Sequence, residues 1–251
     1  MITALASLLR DRRGASLIEF AFAFPVVFAM GGYGVELGNL TITDMRVSQI
    51  ALTLADNASR IGVNNGQATF QLREGDINDI LQGGRLMGAG LKLTTYGRVT
   101  ISSLENVRRT FSDGTSDSAP VQRLHWQRCI GMMAGYPSSS APTVPVYDST
   151  YGQATPLDKA GTDTKPANDG TTSAGMGSPT MVTAPSNSGV IFVEVNYQYQ
   201  PIFGTMFMKK SILHYTASFI VRDKRDFNQI YNPQTALGTT PTPSTCDLHQ
   251  A

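Results

Sequence analysis

From Ala15 to Val35 the chain runs 21 residues with a single charged side chain, Glu19. A carboxylate at mid-membrane costs roughly 2.5 to 3.5 kcal/mol on insertion scales, and less near a span's end, so one placed there calls for a purpose. Other residues capable of chemistry are sparse. His125, His214 and His249 share no metal-ligand spacing, and no GxSxG, P-loop or HExxH motif occurs, so neither catalysis nor a cofactor or metal is expected. Asp158, Asp163 and Asp169 are spaced by five and six residues, unlike an EF-hand loop, and read as solvated loop acids. Cys129 and Cys246 are the only cysteines. In an oxidising compartment such a pair reads as a disulfide, with two free thiols the alternative. A bridge closing so long a loop contributes about 4 to 5 kcal/mol in the chain-entropy model.

The apolar run is about the length a helix needs to cross a bilayer. Arg10, Arg12 and Arg13 precede it, and the positive-inside rule keeps them cytoplasmic and exports the chain beyond Val35. Three readings of this N-terminus compete. A secretory signal would use Leu17 to Phe28 as its apolar region, with Ala29-Met30-Gly31 as the cleavage site. A plain signal anchor would tolerate Glu19 poorly. The third reading gives the acid a role in assembly.

The stretch Arg12 to Phe20, RRGASLIEF, resembles the processing site of type IV prepilins. The longer RRGASLIEFAFAFPVVF, with Phe20 after the acid and Pro25 six residues beyond it, resembles the TadE-like pseudopilins of tight-adherence pili. Segments 124–131, 190–197 and 217–223 are similar in texture to that family's exported domain. The resemblance implies a leader, residues 1–14, removed by a prepilin peptidase between Gly14 and Ala15, with Glu19 fifth in the mature chain. Cleavage leaves a new ammonium on Ala15. In pilins the acid meets the terminal amine of a neighbouring subunit, and an ion pair in hydrocarbon is far less costly than two lone charges. The implied function is a minor pilin or pseudopilin in pilus biogenesis and surface adherence. Its implied partners are the peptidase, the major pilin, other pseudopilins of the same system, an inner-membrane assembly platform and membrane lipid. The competing class is a single-pass, membrane-anchored periplasmic binding protein or enzyme that does not polymerise.

These residues must be positioned by a long helix. Leu37, Leu40, Val47, Ala51, Leu54, Ala58 and Ile61 follow three- and four-residue steps, which predicts helix over 15–61 with an amphipathic second half. Pro25 and the glycines at 31, 32, 34 and 38 are expected to soften it. Gly34 and Gly38 make a GxxxG spacing, either a close helix contact or the ordinary glycine content of membrane helices.

Residues 62–251 form the exported part. A helix is expected at 74–87 with Asp76 placed for capping. Strands are expected at 91–95, 98–102 continuing towards 107, 122–130 with Leu124 and Trp126 on one face, 190–199 and 212–221. The last two should pair antiparallel. A short helix is expected at 223–231. Residues 135–188 are rich in Gly, Ser, Thr and Pro and predict a long loop or an irregular excursion over the sheet, with Tyr147, Tyr151 and Met181 available to pin it. His125 reads as a strand residue with one face to solvent. Lys209-Lys210 and the mixed run 222–226 read as solvated turns, with an assembly contact the alternative. The fold class is α+β, the long helix packed on an antiparallel sheet as in pilins. A formal net charge of +1 offers nucleic acid no basic surface.

Overall fold

The computed structural model describes residues 13–63, 66, 68–110, 113–133, 171–172, 175–177, 181–227, 230–246 and 248. Residues 1–12 of the expected leader lie outside them, as do Tyr147, Tyr151, Asp158, Asp163, Asp169 and His249. Residues 1–43 with 199–211 form one compact unit, and 44–198 with 212–251 form a second.

Helix α1, Arg13–Arg60, is continuous through Pro25. Proline removes one i to i−4 hydrogen bond, yet the flanking apolar sequence keeps its helical dihedrals on both sides. The second half buries Val47, Ile50, Ala51, Leu54, Ala55 and Ala58, the stripe that its three- and four-residue steps require. The helix ends one residue before Ile61. At this end Arg225 donates from Nη2 to the carbonyl oxygens of Ala58, in the last turn, at 3.2 Å and of Ile61, just beyond it, at 2.5 Å. The run 222–226 is therefore not simply a solvated turn: Arg225 is buried because orphan C-terminal carbonyls need donors.

Helix α2, Glu74–Met87, turns Ile77, Ile80 and Leu81 inward. Asp76 does not cap it. The N-cap is Arg73, with no side-chain capping bond, and Asp76 instead takes a two-pronged hydrogen bond from the Arg73 guanidinium. The strand expected at 91–95 is absent. In its place stand a 3-10 turn, Ala89–Leu91, and the short helix α3, Leu93–Tyr96, joined by Lys92 at φ 51°. That left-handed residue interrupts the extended backbone a strand needs; Leu93 is buried in the core, and Leu91 and Tyr96 pack against it partly exposed.

The sheet contains β1 (Gly97–Val107), β2 (Val121–Ile130), a two-residue edge strand β3 (Thr171–Thr172), β4 (Ser188–Gln198) and β5 (Ile212–Ile220), in the order β3-β2-β1-β4-β5. All of its pairings are antiparallel, β4 with β5 included. Together with α1 this is an α+β architecture. Val99, Ile101, Ile191, Val193, Val195 and Tyr197 alternate onto the face that packs with α1 and α2. Leu104, Val190 and Phe192 pack on the other face with Met176 and Ala184.

Leu124 and Trp126 do not share a face. Ser103 pairs with Trp126 but Leu104 pairs with Leu124, so His125 is an extra residue in β2. The bulge sends Trp126 into the main core and Leu124 into the second cluster. Within 135–188, the described residues 175–177 and 181–187 lie over the sheet. Ala184 N–H donates to Gln122 and Asn106 donates to the Ala184 carbonyl, while Met181 is exposed. The expected helix at 223–231 is absent among its described residues. Phe70 bridges Arg225 and Arg73 bridges Tyr231 in parallel, so the chain after β5 is held extended by its partner segment.

Candidate functional site

The first half of α1 presents its apolar side chains outward. Leu17, Phe20, Phe22, Val26, Val27 and Met30 are all exposed. Among the described residues α1 is the one helix long and apolar enough to cross a membrane. Gly14 and Ala15 lie in its first turn and Pro25 within it. Glu19 is exposed on this surface and has no hydrogen-bond or ion-pair partner among the described residues. The rings of Phe20, Phe24 and Phe28 follow one another at four-residue spacing, the first pair tilted and the second stacked, with centroids 5.5 and 6.1 Å apart. An added Cβ at Gly34 or Gly38 would meet no atom within 4 Å, so these glycines answer no packing need inside the chain.

At the C-terminal end of the apolar run stands a polar collar. Glu36 is fully buried. Its Oε1 accepts from the Tyr199 hydroxyl at 2.5 Å and from the Ile202 N–H at 3.1 Å, and its Oε2 accepts from the Phe203 N–H at 3.2 Å. Asn39 donates to the Tyr199 hydroxyl oxygen at 2.7 Å. The turn that Glu36 holds, between Tyr199 and Ser211, carries Phe207 onto the helix. Its ring lies 6.1 Å from Phe28 and 5.5 Å edge-on from Phe203. A Cβ at Gly32 would fall 2.6 Å from that ring, so a larger residue there would have to push the ring aside. Sequence reasoning missed the collar. Its signals were a second acid directly after the apolar run, and an unusually apolar strand connection, Pro201-Ile202-Phe203 to Met206-Phe207-Met208.

Cys129 and Cys246 are joined by a disulfide, Cα to Cα 4.8 Å. The tail it holds is also hydrogen-bonded in place: Cys129 N–H donates to Ser244 O at 2.8 Å, Asn78 to Thr242 O at 2.9 Å, and the Arg98 guanidinium to Cys246 O.

The sheet also buries several polar residues. His125 does not face solvent. The bulge buries it, with Nδ1 2.8 Å from Glu105 Oε2, while Ser103 Oγ donates to Glu105 Oε1 at 2.6 Å. Serine, glutamate and histidine thus meet, but all three are closed to solvent, and the serine hydroxyl faces the acid instead of the base that would activate it. Glu74 on α2 pairs with buried Arg128 on β2. Asp117 closes the connection between β1 and β2. Burial works against its charge, but hydrogen bonds from Arg123 at 2.9 Å and the Arg109 N–H at 3.1 Å outweigh that and hold its carboxyl below the usual range. Burial lowers His214, whose Nδ1 lies 2.7 Å from Asn196 Oδ1. Among the described residues no group of three or more His, Cys, Asp or Glu side chains is arranged to hold a metal ion. No protein-family model, curated protein or solved structure matches the chain.

Proposed function

We propose that the chain is a TadE-like minor pilin or pseudopilin of a tight-adherence pilus, cut by a prepilin peptidase after Gly14 and anchored by α1 in the inner membrane. Its N-terminus is cytoplasmic, and the sheet-bearing domain faces the periplasm or is carried outward with a pilus. One observation carries this reading. Glu19 lies exposed on an otherwise apolar helix surface, with no hydrogen-bond or ion-pair partner among the described residues, and a carboxylate in hydrocarbon is far less costly when paired, as it would be with a neighbouring subunit. The resemblance of RRGASLIEF to prepilin sites supplies that partner as the Ala15 ammonium of a neighbouring subunit. Phe20 and Pro25, which the resemblance also implicates, would take part in the contacts of this helix with the major pilin and companion pseudopilins. The same helix would meet the assembly platform and lipid. The activity is structural, adding or priming subunits and supporting adherence.

Mass spectrometry of the mature N-terminus tests the reading. A chain beginning at Ala15 is expected; an intact Met1, or a start near Gly32, overturns it in favour of an anchored protein or a secreted one. In the producing strain, Glu19→Gln should still insert and be cleaved yet fail to support piliation. Normal piliation and adhesion would remove the role of the acid.

A further inference from the structure

We propose that the turn between Tyr199 and Ser211 is a second membrane contact, whose apolar side chains enter the exported-side leaflet beside α1; this rests on the membrane reading of Ala15 to Val35 given above. Connections between strands are ordinarily polar and rich in turn formers. This one carries Pro201, Ile202, Phe203, Met206, Phe207 and Met208, and Ile202, Phe203 and Met206 are 56%, 41% and 72% exposed.

Its position along the helix decides what covers it. Phe207 rests against Phe28 and over Gly32, eight and four residues before Glu36, which is roughly 12 and 6 Å towards the membrane at 1.5 Å per residue. With the helix in hydrocarbon up to Val35, that ring lies inside the apolar layer, and Phe203 packs on it. The exposed side chains of the turn are therefore continuous with the lipid-facing surface of α1. This continuity favours lipid over a second protein as the occupant.

The collar meets part of the turn's need for hydrogen bonds there. Backbone N–H groups of irregular structure are not tolerated unsatisfied in hydrocarbon. The Glu36 carboxylate takes the N–H groups of both Ile202 and Phe203, at the boundary where the turn would enter. Lys209 and Lys210 follow the apolar residues and are exposed, the arrangement that places ammonium groups among lipid phosphates while their stems lie along apolar surface.

The test uses the full-length chain reconstituted in vesicles of phosphatidylcholine and phosphatidylglycerol whose acyl chains carry bromine at a shallow or a deep position. Met206→Trp and Ile202→Trp report the turn, Phe22→Trp reports the helix, and the unsubstituted chain, whose only tryptophan Trp126 is buried in the sheet, supplies the blank. Shallow bromines should quench the turn probes by about twofold or more, as for a side chain roughly 5 to 10 Å into the interface. If the helix probe is quenched and the turn probes are not, the inference is overturned and the membrane reading stands. If the turn probes escape bromine but change emission on self-association, a second copy covers the turn and the inference likewise fails. If none is quenched, the membrane reading fails with it.

Discussion

The Tyr199 hydroxyl donates a 2.5 Å hydrogen bond to Glu36 Oε1, 163 residues away in sequence, and both side chains are buried. The carboxylate also binds two backbone N–H groups, so losing the phenol leaves a buried charge one donor short. Such a loss costs about 1 to 3 kcal/mol. Tyr199→Phe should speed hydrogen exchange at the amides of Ile202 and Phe203 about tenfold or more, since about 1.4 kcal/mol is a factor of ten. Unchanged exchange at both would show that the collar does not hold the turn.

Gly32 and Gly34 should respond differently to alanine. At Gly32 the new methyl falls 2.6 Å from the Phe207 ring, whereas at Gly34 it meets nothing within 4 Å. Gly32→Ala should displace the ring and open the turn to chymotrypsin at Phe203 and Phe207, and Gly34→Ala should leave the digestion pattern alone. Equal patterns in the two variants would contradict the packing described.

Cys129 and Cys246 tie the tail to β2 across 117 residues of sequence. Replacing both with serine should lower the free energy of unfolding by up to about 4 to 5 kcal/mol, read as a lower denaturation midpoint. The backbone bond from Cys129 to Ser244 should become exchangeable at the same time. A double variant as stable as the parent, with the tail still protected, would mean that the surrounding hydrogen bonds suffice.

Asp117 makes stability depend on pH. Its folded carboxyl is held below its ordinary value by Arg123 and the Arg109 N–H, so the unfolded chain binds the proton more readily. Its contribution is complete above the unfolded value of about 3.9 and is lost as pH falls through the folded value. Asp117→Asn should therefore unfold more easily than the parent at pH ~6, by roughly 1 kcal/mol for a partly buried ion pair. The gap should close as both are acidified below pH ~4. A gap that does not vary with pH would mean that the pairing is not electrostatic.

Much of the fold was legible in the residues themselves. The stripe through Val47, Ala51, Leu54 and Ala58 predicted the buried face of α1, and alternation in 190–199 and 212–221 predicted two strands that do pair. Alternation misled at Leu91 and Leu93, where Lys92 adopts a left-handed conformation, and at Leu124 and Trp126, where the bulge at His125 separates two residues of equal parity. Of the candidate site, Glu19 and the apolar run could be read directly because they are contiguous. The collar could not, because Glu36 next to Leu37 resembles any acid at a membrane boundary until Tyr199 is brought to it.

The sequence by itself determined the features set by short periods and plain composition: a 21-residue apolar run with one acid, an amphipathic continuation, alternating strands and a lone pair of cysteines. These follow from the 3.6-residue and two-residue geometries of the backbone and need no distant partner. Only the tertiary structure decided which charges are buried and what they hold. Glu36 gathers a turn more than 160 residues away, Arg225 closes the end of α1, and His125 shifts a strand register. A buried polar group is stable only when its hydrogen bonds are met, and the partners that meet them are supplied by the fold, not by neighbours in sequence.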